Sequence, residues 1–388
     1  MKTILYPVNE LRVGGAEQQL LELVRGLDKS RFHPIVAPLY RGGPLDAEFA
    51  AVPGVEVTHL DRRGKYDPST LWRMALLLRR RRVDVVQPFL SPATFFGLLP
   101  ALAVGTPTKI VTERCGVRRA RGLGYRVYRT VEDRLSHFAD AVVSNSEAGR
   151  EMLLARGVPA ERIRVIYNGV NEARLRPNAE RSAAHRARLG VPADGHVVGI
   201  LASLTPAKGH DTFLRAAAAV ARGRRDARFA VIGDGPLRAE LEALAVGLGL
   251  GDRIVFFGNQ RAVADLLSVT DVLVSSSRDN EGCSNSILEA MALGVAVVAT
   301  DVGGNRELVR DRLTGYLAPV GDHAAVAAAV ESALATPSER AAIAARARQM
   351  IHSRFSLARM VQDYEELYLQ AGETRLASAT AAREASRA

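Results

Sequence analysis

Short runs rich in Val, Ile and Leu alternate from end to end with longer segments whose apolar positions recur at helical spacing. This is the texture of an α/β fold with parallel sheets. In the first half it predicts strands at Thr3–Pro7, Pro34–Pro38, Val55–His59, Val83–Gln87, Lys109–Thr112, Ala141–Ser144 and Arg164–Tyr167. Helices are expected between them, including Glu17–Leu27, Thr70–Arg81 and Tyr125–His137. The stretch Asn171 to Gly190, with Pro177 and seven charged residues, breaks the pattern and predicts a connection between domains. A second series follows: strands Val197–Leu201, Phe229–Ile232, Ile254–Phe257, Val272–Ser275 and Val295–Ala299, with helices Asp211–Arg222, Leu237–Leu248 and Asn285–Leu293. Ala324–Ala335 and Glu339–His352 read as Ala-rich helices and Ser356–Gln370 as a last amphipathic one. The tail from Gly372 lacks large apolar anchors, which predicts disorder. Two doubly wound halves in one chain imply a cleft between them, with ligands beyond the carboxyl ends of strands.

Length agrees with that division, because 388 residues at roughly 100 to 200 per domain make two domains, each with its own core. The expected boundaries are 1–172, a connection at 173–192, 193–354, a helix at 355–371 and the tail at 372–388. Hydrophobic residues at 47% and charged residues at 24% exclude wholesale disorder and a polytopic membrane protein. Cys115 and Cys283 are too few for a disulfide framework and lack zinc-ligand spacing, so a reducing cytoplasm is expected. The first residues hold no apolar region of secretory length, so export is not expected. The uncharged stretch Val85 to Thr108 is long enough to span a bilayer, but four prolines interrupt it, so a strand and a core helix are expected. Charge is uneven: residues 1–170 carry 26 Lys+Arg against 17 Asp+Glu, whereas residues 171–388 carry 26 against 25. The basic half is suited to an anionic partner.

The richest chemistry lies in Ser275 to Gly294, where a strand ends in a loop of small and polar residues that opens a helix. Ser284 or Ser286 is its expected N-cap, and Ser286 with Glu289 has the spacing of a capping box. The helix N-terminus would offer N–H groups and a positive dipole end to a diphosphate; an ordinary capped helix is the plainer reading. Glu281 and Glu289, if both were helical, would stand on the order of 12 Å apart at Cα. Glycoside hydrolases need carboxyls roughly 5 to 9.5 Å apart, so an acid/base pair is disfavoured, and two acceptors for separate hydroxyl-bearing rings fit better.

Glu281-x7-Glu289, embedded in Glu-Gly-Cys-Ser-Asn-Ser-Ile-Leu-Glu-Ala-Met-Ala-Leu-Gly and followed by Val297 to Asn305, resembles the signature of the group 1, family 4 retaining glycosyltransferases of GT-B fold. The likeness extends over nearly the whole chain through Gly14-Gly15-Ala16-Glu17, Val165 to Val170, Lys208-Gly209, Ile232 to Pro236 and Phe257-Gly258. Each motif alone is weak, whereas their order and spacing together are specific. The resemblance implies two Rossmann-like domains facing across a cleft, the C-terminal helix packed back on the N-terminal one. It also implies hexosyl transfer from a nucleoside diphosphate sugar, a UDP-sugar favoured, to a lipid-linked or saccharide acceptor in bacterial-type cell-surface polysaccharide or glycolipid synthesis.

The resemblance also assigns residues. Lys208 would neutralise the leaving diphosphate, Glu281 would accept from donor-sugar hydroxyls, and Glu289 from the ribose. Gly15, Ser203, Gly233, Gly235, Gly282, Cys283, Ser284, Asn285 and Ser286 would line the donor site, with Gly14, Arg114, Arg118 and Asn168 as acceptor-side candidates. Asn168-Gly169 alone also reads as a hairpin turn. There are departures too. Ser203 stands where relatives carry an Arg, and Glu113-Arg114 and Gln87-Pro88-Phe89 stand where relatives carry histidines, so no catalytic His carries over. His210 is a minor donor-site candidate. Asp279-x-Glu281 replaces any Asp-x-Asp, so metal independence and no cofactor are expected, with same-face displacement in which the donor phosphate takes the acceptor proton.

Arg73 and Arg79 to Arg82 around Leu71 to Leu78 form an apolar helix with a basic end. It would dock an anionic membrane surface, giving a peripheral position on the inner face of the plasma membrane; a core helix with a solvated last turn is the alternative. A nucleic-acid-binding protein would explain the charge, but aromatics at 5% are not interleaved with the basic residues. A sugar-nucleotide epimerase of the same fold needs an acid/base set that is not apparent, and a non-catalytic nucleotide-sugar binder is the third alternative.

Overall fold

A computed structural model describes residues 1–64, 67–90, 92–114, 130, 133–279 and 281–370. The chain divides into two compact units, Met1–Gly169 with the segment from Leu357 onward, and Val170–Ser356.

The first unit is built on seven parallel strands: β1 (Lys2–Val8), β2 (Phe32–Pro38), β3 (Glu56–Val57), β4 (Val85–Val86), β5 (Thr108–Glu113), β6 (Ala141–Ser144) and β7 (Ile163–Val165). Their order is β3-β2-β1-β4-β5-β6-β7. The strands carry Val and Ile on both faces because helices cover both sides of the sheet. The uncharged stretch becomes β4 and the helix Ala93–Val104, both inside the unit's core. Gly97 lets that helix lie close to β1, since a Cβ there would meet the Pro7 ring at 2.9 Å. Among the described residues no helix is long and apolar enough to cross a membrane.

The last helix, residues 357–370, belongs to this unit as well. Its Met360, Val361, Tyr364, Leu367 and Tyr368 join Ile4, Tyr6, Leu20 and Phe32 in one buried cluster. Tyr6 OH donates to Tyr368 OH at 2.9 Å, Tyr368 OH donates to Gln87 Oε1 at 2.5 Å, and Gln87 Nε2 donates to Thr112 Oγ1 at 2.8 Å. Residues far apart in sequence are thereby joined by a fully satisfied buried network. Asn168-Gly169 does not form a hairpin turn. Gly169 exchanges two 3.0 Å hydrogen bonds with the Gln19 side chain, which ties this segment to the first helix, Gly15–Gly26.

The second unit holds β8 (His196–Leu201), β9 (Ala227–Ile232), β10 (Ile254–Gly258), β11 (Val272–Ser275), β12 (Ala296–Thr300) and β13 (Tyr316–Ala318), all parallel, in the order β10-β9-β8-β11-β12-β13. The stretch expected as the connection between domains holds the helix Ala179–Arg188, whose start is bound by Asp265 through Asn178 N at 2.6 Å and the Arg181 guanidinium. A partner 87 residues away in sequence leaves no local signal. β13 and the helices Val263–Leu267 and Asn305–Leu308 are too short to show a period.

Candidate functional site

In the second unit the strand order reverses between β8 and β11, which is where doubly wound sheets open a crevice beyond their strand ends. The loop after β8 makes one tight turn, Pro206–Lys208, and turns into the helix His210–Gly223 at Gly209, whose φ is +62°. A Cβ on Gly209 would stand 2.1 Å from the Ser276 carbonyl oxygen, so only glycine fits. Ser276 Oγ donates to the carbonyls of Gly209 at 2.9 Å and Lys208 at 3.1 Å, and Arg278 N donates to Ala207 O at 2.8 Å. The two loops flanking the crevice are therefore stitched together.

Lys208 Nζ donates to both carboxylate oxygens of Glu281, at 2.9 and 2.7 Å, and Ser277 Oγ donates to Glu281 Oε2 at 2.6 Å. The side chains are 29% and 10% exposed, so the pair sits at the surface of the crevice with the carboxylate deeper. Gly303 holds the Glu281 backbone from the other side. Its φ is +52°, a Cβ there would meet Glu281 O at 2.0 Å, and Gly304 N donates to that oxygen at 2.8 Å.

The signature helix is Asn285–Ala292 and its N-cap is Ser284. The expected Ser286–Glu289 capping box is not formed: the N-cap is Ser284, whose side chain makes no cap hydrogen bond, and the hydroxyls of Ser284 and Ser286 bond each other at 3.2 Å. Glu281 lies in the loop before this helix, so the 12 Å estimate for two helical carboxylates does not describe the pair. Gly282, Cys283 and Ser284 are buried around the first turn. The Glu289 carboxyl is pushed up to about 7 by burial, with Arg174 opposing the shift. His210 is 2% exposed, and burial, then the neighbouring Lys208 charge, lower it to about 4, so the imidazole is neutral near pH 7. Gly233, at φ +133°, and Gly235 each pack against the loop after β8, where a Cβ would meet Ala202 O at 2.1 Å or Leu204 O at 2.6 Å. Ser203 is exposed in that loop. Ser277 and Gly303 carry the position of Glu281; both lie in stretches that the sequence singles out, Ser275–Gly294 and Val297–Asn305, but neither is given a role there.

In the first unit the order reverses between β1 and β4. After β1 come Gly14, the N-cap of the helix Gly15–Gly26, and Glu17, whose carboxylate folds back over Gly14; a Cβ on Gly14 would meet Glu17 Oε2 at 2.4 Å. Burial raises the Glu17 carboxyl above the ordinary range. Arg114 follows β5, donates from Nη1 to Asn168 Oδ1 at 2.9 Å, and sets its guanidinium 4.9 Å from the centre of the Phe89 ring. Arg118 and the rest of its Arg-rich segment lie outside the described residues, as do Cys115, most of the expected helix Tyr125–His137, and the tail. Among the described residues no group of three or more His, Cys, Asp and Glu is placed to hold a metal ion.

The family described as Glycosyltransferase Family 4 matches residues 13–174, and that described as Glycosyl transferases group 1 matches residues 182–350. A GDP-mannose-dependent alpha-(1-6)-phosphatidylinositol monomannoside mannosyltransferase of Mycolicibacterium smegmatis is 29% identical over 355 residues, covering 87% of this chain and 90% of that protein. The lipopolysaccharide core biosynthesis glycosyltransferase LpsE of Rhizobium meliloti is 33% identical over 236 residues, covering 60% of this chain and 66% of LpsE. In fold, the chain is similar to Anabaena HepE in complex with UDP, with a TM-score of 0.81 at 23% identity, over 95% of this chain and 100% of HepE.

Proposed function

Because the chain belongs to the group 1, family 4 glycosyltransferases of GT-B fold, we propose that it moves a hexosyl unit from a nucleoside diphosphate sugar to a lipid-linked or saccharide acceptor in cell-surface polysaccharide or glycolipid synthesis, with retention and without a metal ion. The observation that carries this reading is the Lys208–Glu281 pair at the β8/β11 reversal, with Glu281 in the loop that leads into the helix Asn285–Ala292. The ammonium offsets the negative charge that a departing diphosphate develops. The carboxylate, held by Lys208 and Ser277, is positioned to accept from sugar hydroxyls rather than to attack carbon. With no free nucleophile in this reading, the acceptor oxygen bonds to the anomeric carbon on the face that the phosphate leaves, and its proton passes to a phosphate oxygen. UDP is favoured as the carrier, with HepE's UDP complex in support, and GDP, which the mycobacterial relative's name specifies, is the competing base.

Calorimetry with UDP, GDP, ADP and a mixed-sequence oligonucleotide, each with and without EDTA, tests the proposal. Micromolar binding of one diphosphate, unaffected by EDTA, supports it; oligonucleotide binding with no diphosphate response overturns it.

A membrane surface belongs to the same proposal. Trp72 is 67% exposed on the helix Ser69–Arg80, beside exposed Arg79, Arg80 and Arg82. An exposed indole next to a basic helix end fits an anionic lipid interface, on the cytoplasmic face.

A further inference from the structure

The carboxyl edge of the first unit's sheet holds two buried polar atoms that the fold leaves unused. Four neighbouring strands each deliver one side chain there: Phe89 beyond β4, Arg114 directly after β5, Asn145 directly after β6 and Asn168 beyond β7. β5 and β6 end in register, Glu113 opposite Ser144, so Arg114 and Asn145 are the next residues on adjacent strands. Neighbouring strands lie about 5 Å apart.

Arg114 is fixed by the Asn168 amide and by Phe89, yet its Nε is buried without a hydrogen-bond partner. Asn145 is 6% exposed, and its Oδ1 is likewise buried and unpartnered. Both flanking residues have structural tasks. Ser144 Oγ donates to Ser146 O at 2.9 Å, and Ser146 Oγ accepts from Gly149 N at 3.0 Å, capping the helix Glu147–Ala155. The backbone of Asn145 is thus locked on both sides while its amide bonds nothing in the fold. A buried donor and a buried acceptor left unmade each cost free energy, and such groups call for an explanation.

We propose that Arg114 Nε and Asn145 Oδ1 form a clamp for one neutral hydroxyl of the acceptor. A hydroxyl accepts from Nε–H and donates to Oδ1, satisfying both atoms. A carboxylate or a fully ionised phosphate has no proton to give and would leave Oδ1 unpaired. The inference rests on the transferase reading and deepens it: the acceptor is read through an uncharged polyol hydroxyl beyond the ends of β5 and β6.

Saturation-transfer NMR on the full chain with UDP present tests it, using methyl α-mannoside, methyl β-glucoside, methyl β-galactoside and methyl phosphate as probes. One glycoside should bind the wild type, and Asn145→Ala should weaken it about tenfold or more, the loss of roughly one hydrogen bond or more. Asn145→Asp should pair with Arg114, raising the thermal midpoint while abolishing glycoside binding, a combination that a merely structural asparagine would not give. Unchanged glycoside binding in Asn145→Ala, a site that takes only methyl phosphate, or no glycoside bound at all overturns the clamp. UDP calorimetry on the same samples separates the two ideas, since UDP binding without glycoside binding removes only the clamp, and no diphosphate binding removes the transferase reading.

Discussion

Lys208 and Glu281, 73 residues apart in sequence, meet with Nζ 2.9 and 2.7 Å from the two carboxylate oxygens. The lysine side chain is partly exposed and the carboxylate nearly enclosed. Lys208→Ala leaves Glu281 held by Ser277 alone, an enclosed charge without its counter-ion. Turnover should fall by about 10² or more, and nucleoside diphosphate affinity should fall as well. Glu281→Ala should abolish transfer while diphosphate binding measured by calorimetry stays nearly unchanged. Full turnover in Glu281→Ala would refute the role given to that carboxylate.

Gly303→Ala should be costlier than an exposed Gly→Ala change. The residue sits at φ +52° and the added methyl would lie 2.0 Å from Glu281 O. A destabilisation of about 1–3 kcal/mol is expected, together with loss of turnover, because the displaced atom belongs to the backbone of Glu281. Urea unfolding and a transfer assay on one preparation check both.

The resemblance assigns Glu289 to the donor ribose, and in that role its raised carboxyl should make donor binding pH-dependent. Above about 7 it is ionised and accepts two hydrogen bonds; below, it is protonated and accepts fewer. Diphosphate affinity should therefore rise from pH 6 to pH 8, and Glu289→Gln should flatten the profile. Stability runs the other way. The folded-state value lies above the ordinary 4.5, so the folded chain binds the extra proton, and this group's contribution is lost as pH climbs from there through about 7. Calorimetry and thermal unfolding across that range read the two opposite slopes.

Tyr368→Phe removes one hydroxyl that serves two partners, Tyr6 OH and Gln87 Oε1. Both are left buried and short of a bond, at a cost of about 1–3 kcal/mol. The thermal midpoint should drop while diphosphate binding, which the proposed function assigns to the other unit, stays unchanged.

Trp72→Ala, and separately Arg79→Glu with Arg80→Glu, should reduce sedimentation with phosphatidylglycerol-containing vesicles, and vesicles of phosphatidylcholine alone should bind neither wild type nor variants. Equal sedimentation of wild type and variants would remove the membrane from the proposal.

The chain by itself determined the strand–helix alternation, the two halves and the glycosyltransferase signature, because period and motif spacing are local properties that side-chain type alone records. It showed the last helix as amphipathic; only the tertiary structure gave that helix its partners in Ile4, Tyr6 and Phe32. The same holds for the helix Ala179–Arg188, read as a connection because its anchor, Asp265, is remote in sequence. Lys208 and Glu281 were both legible as single residues, but their union was not, since it depends on β8 and β11 lying side by side although two strands separate them along the chain. The tasks of Ser277, Gly303 and Asn145 were illegible for a related reason. What they do follows from a carbonyl oxygen, a φ angle or an unpaired amide, and those exist only once distant backbone has been brought within a few ångströms.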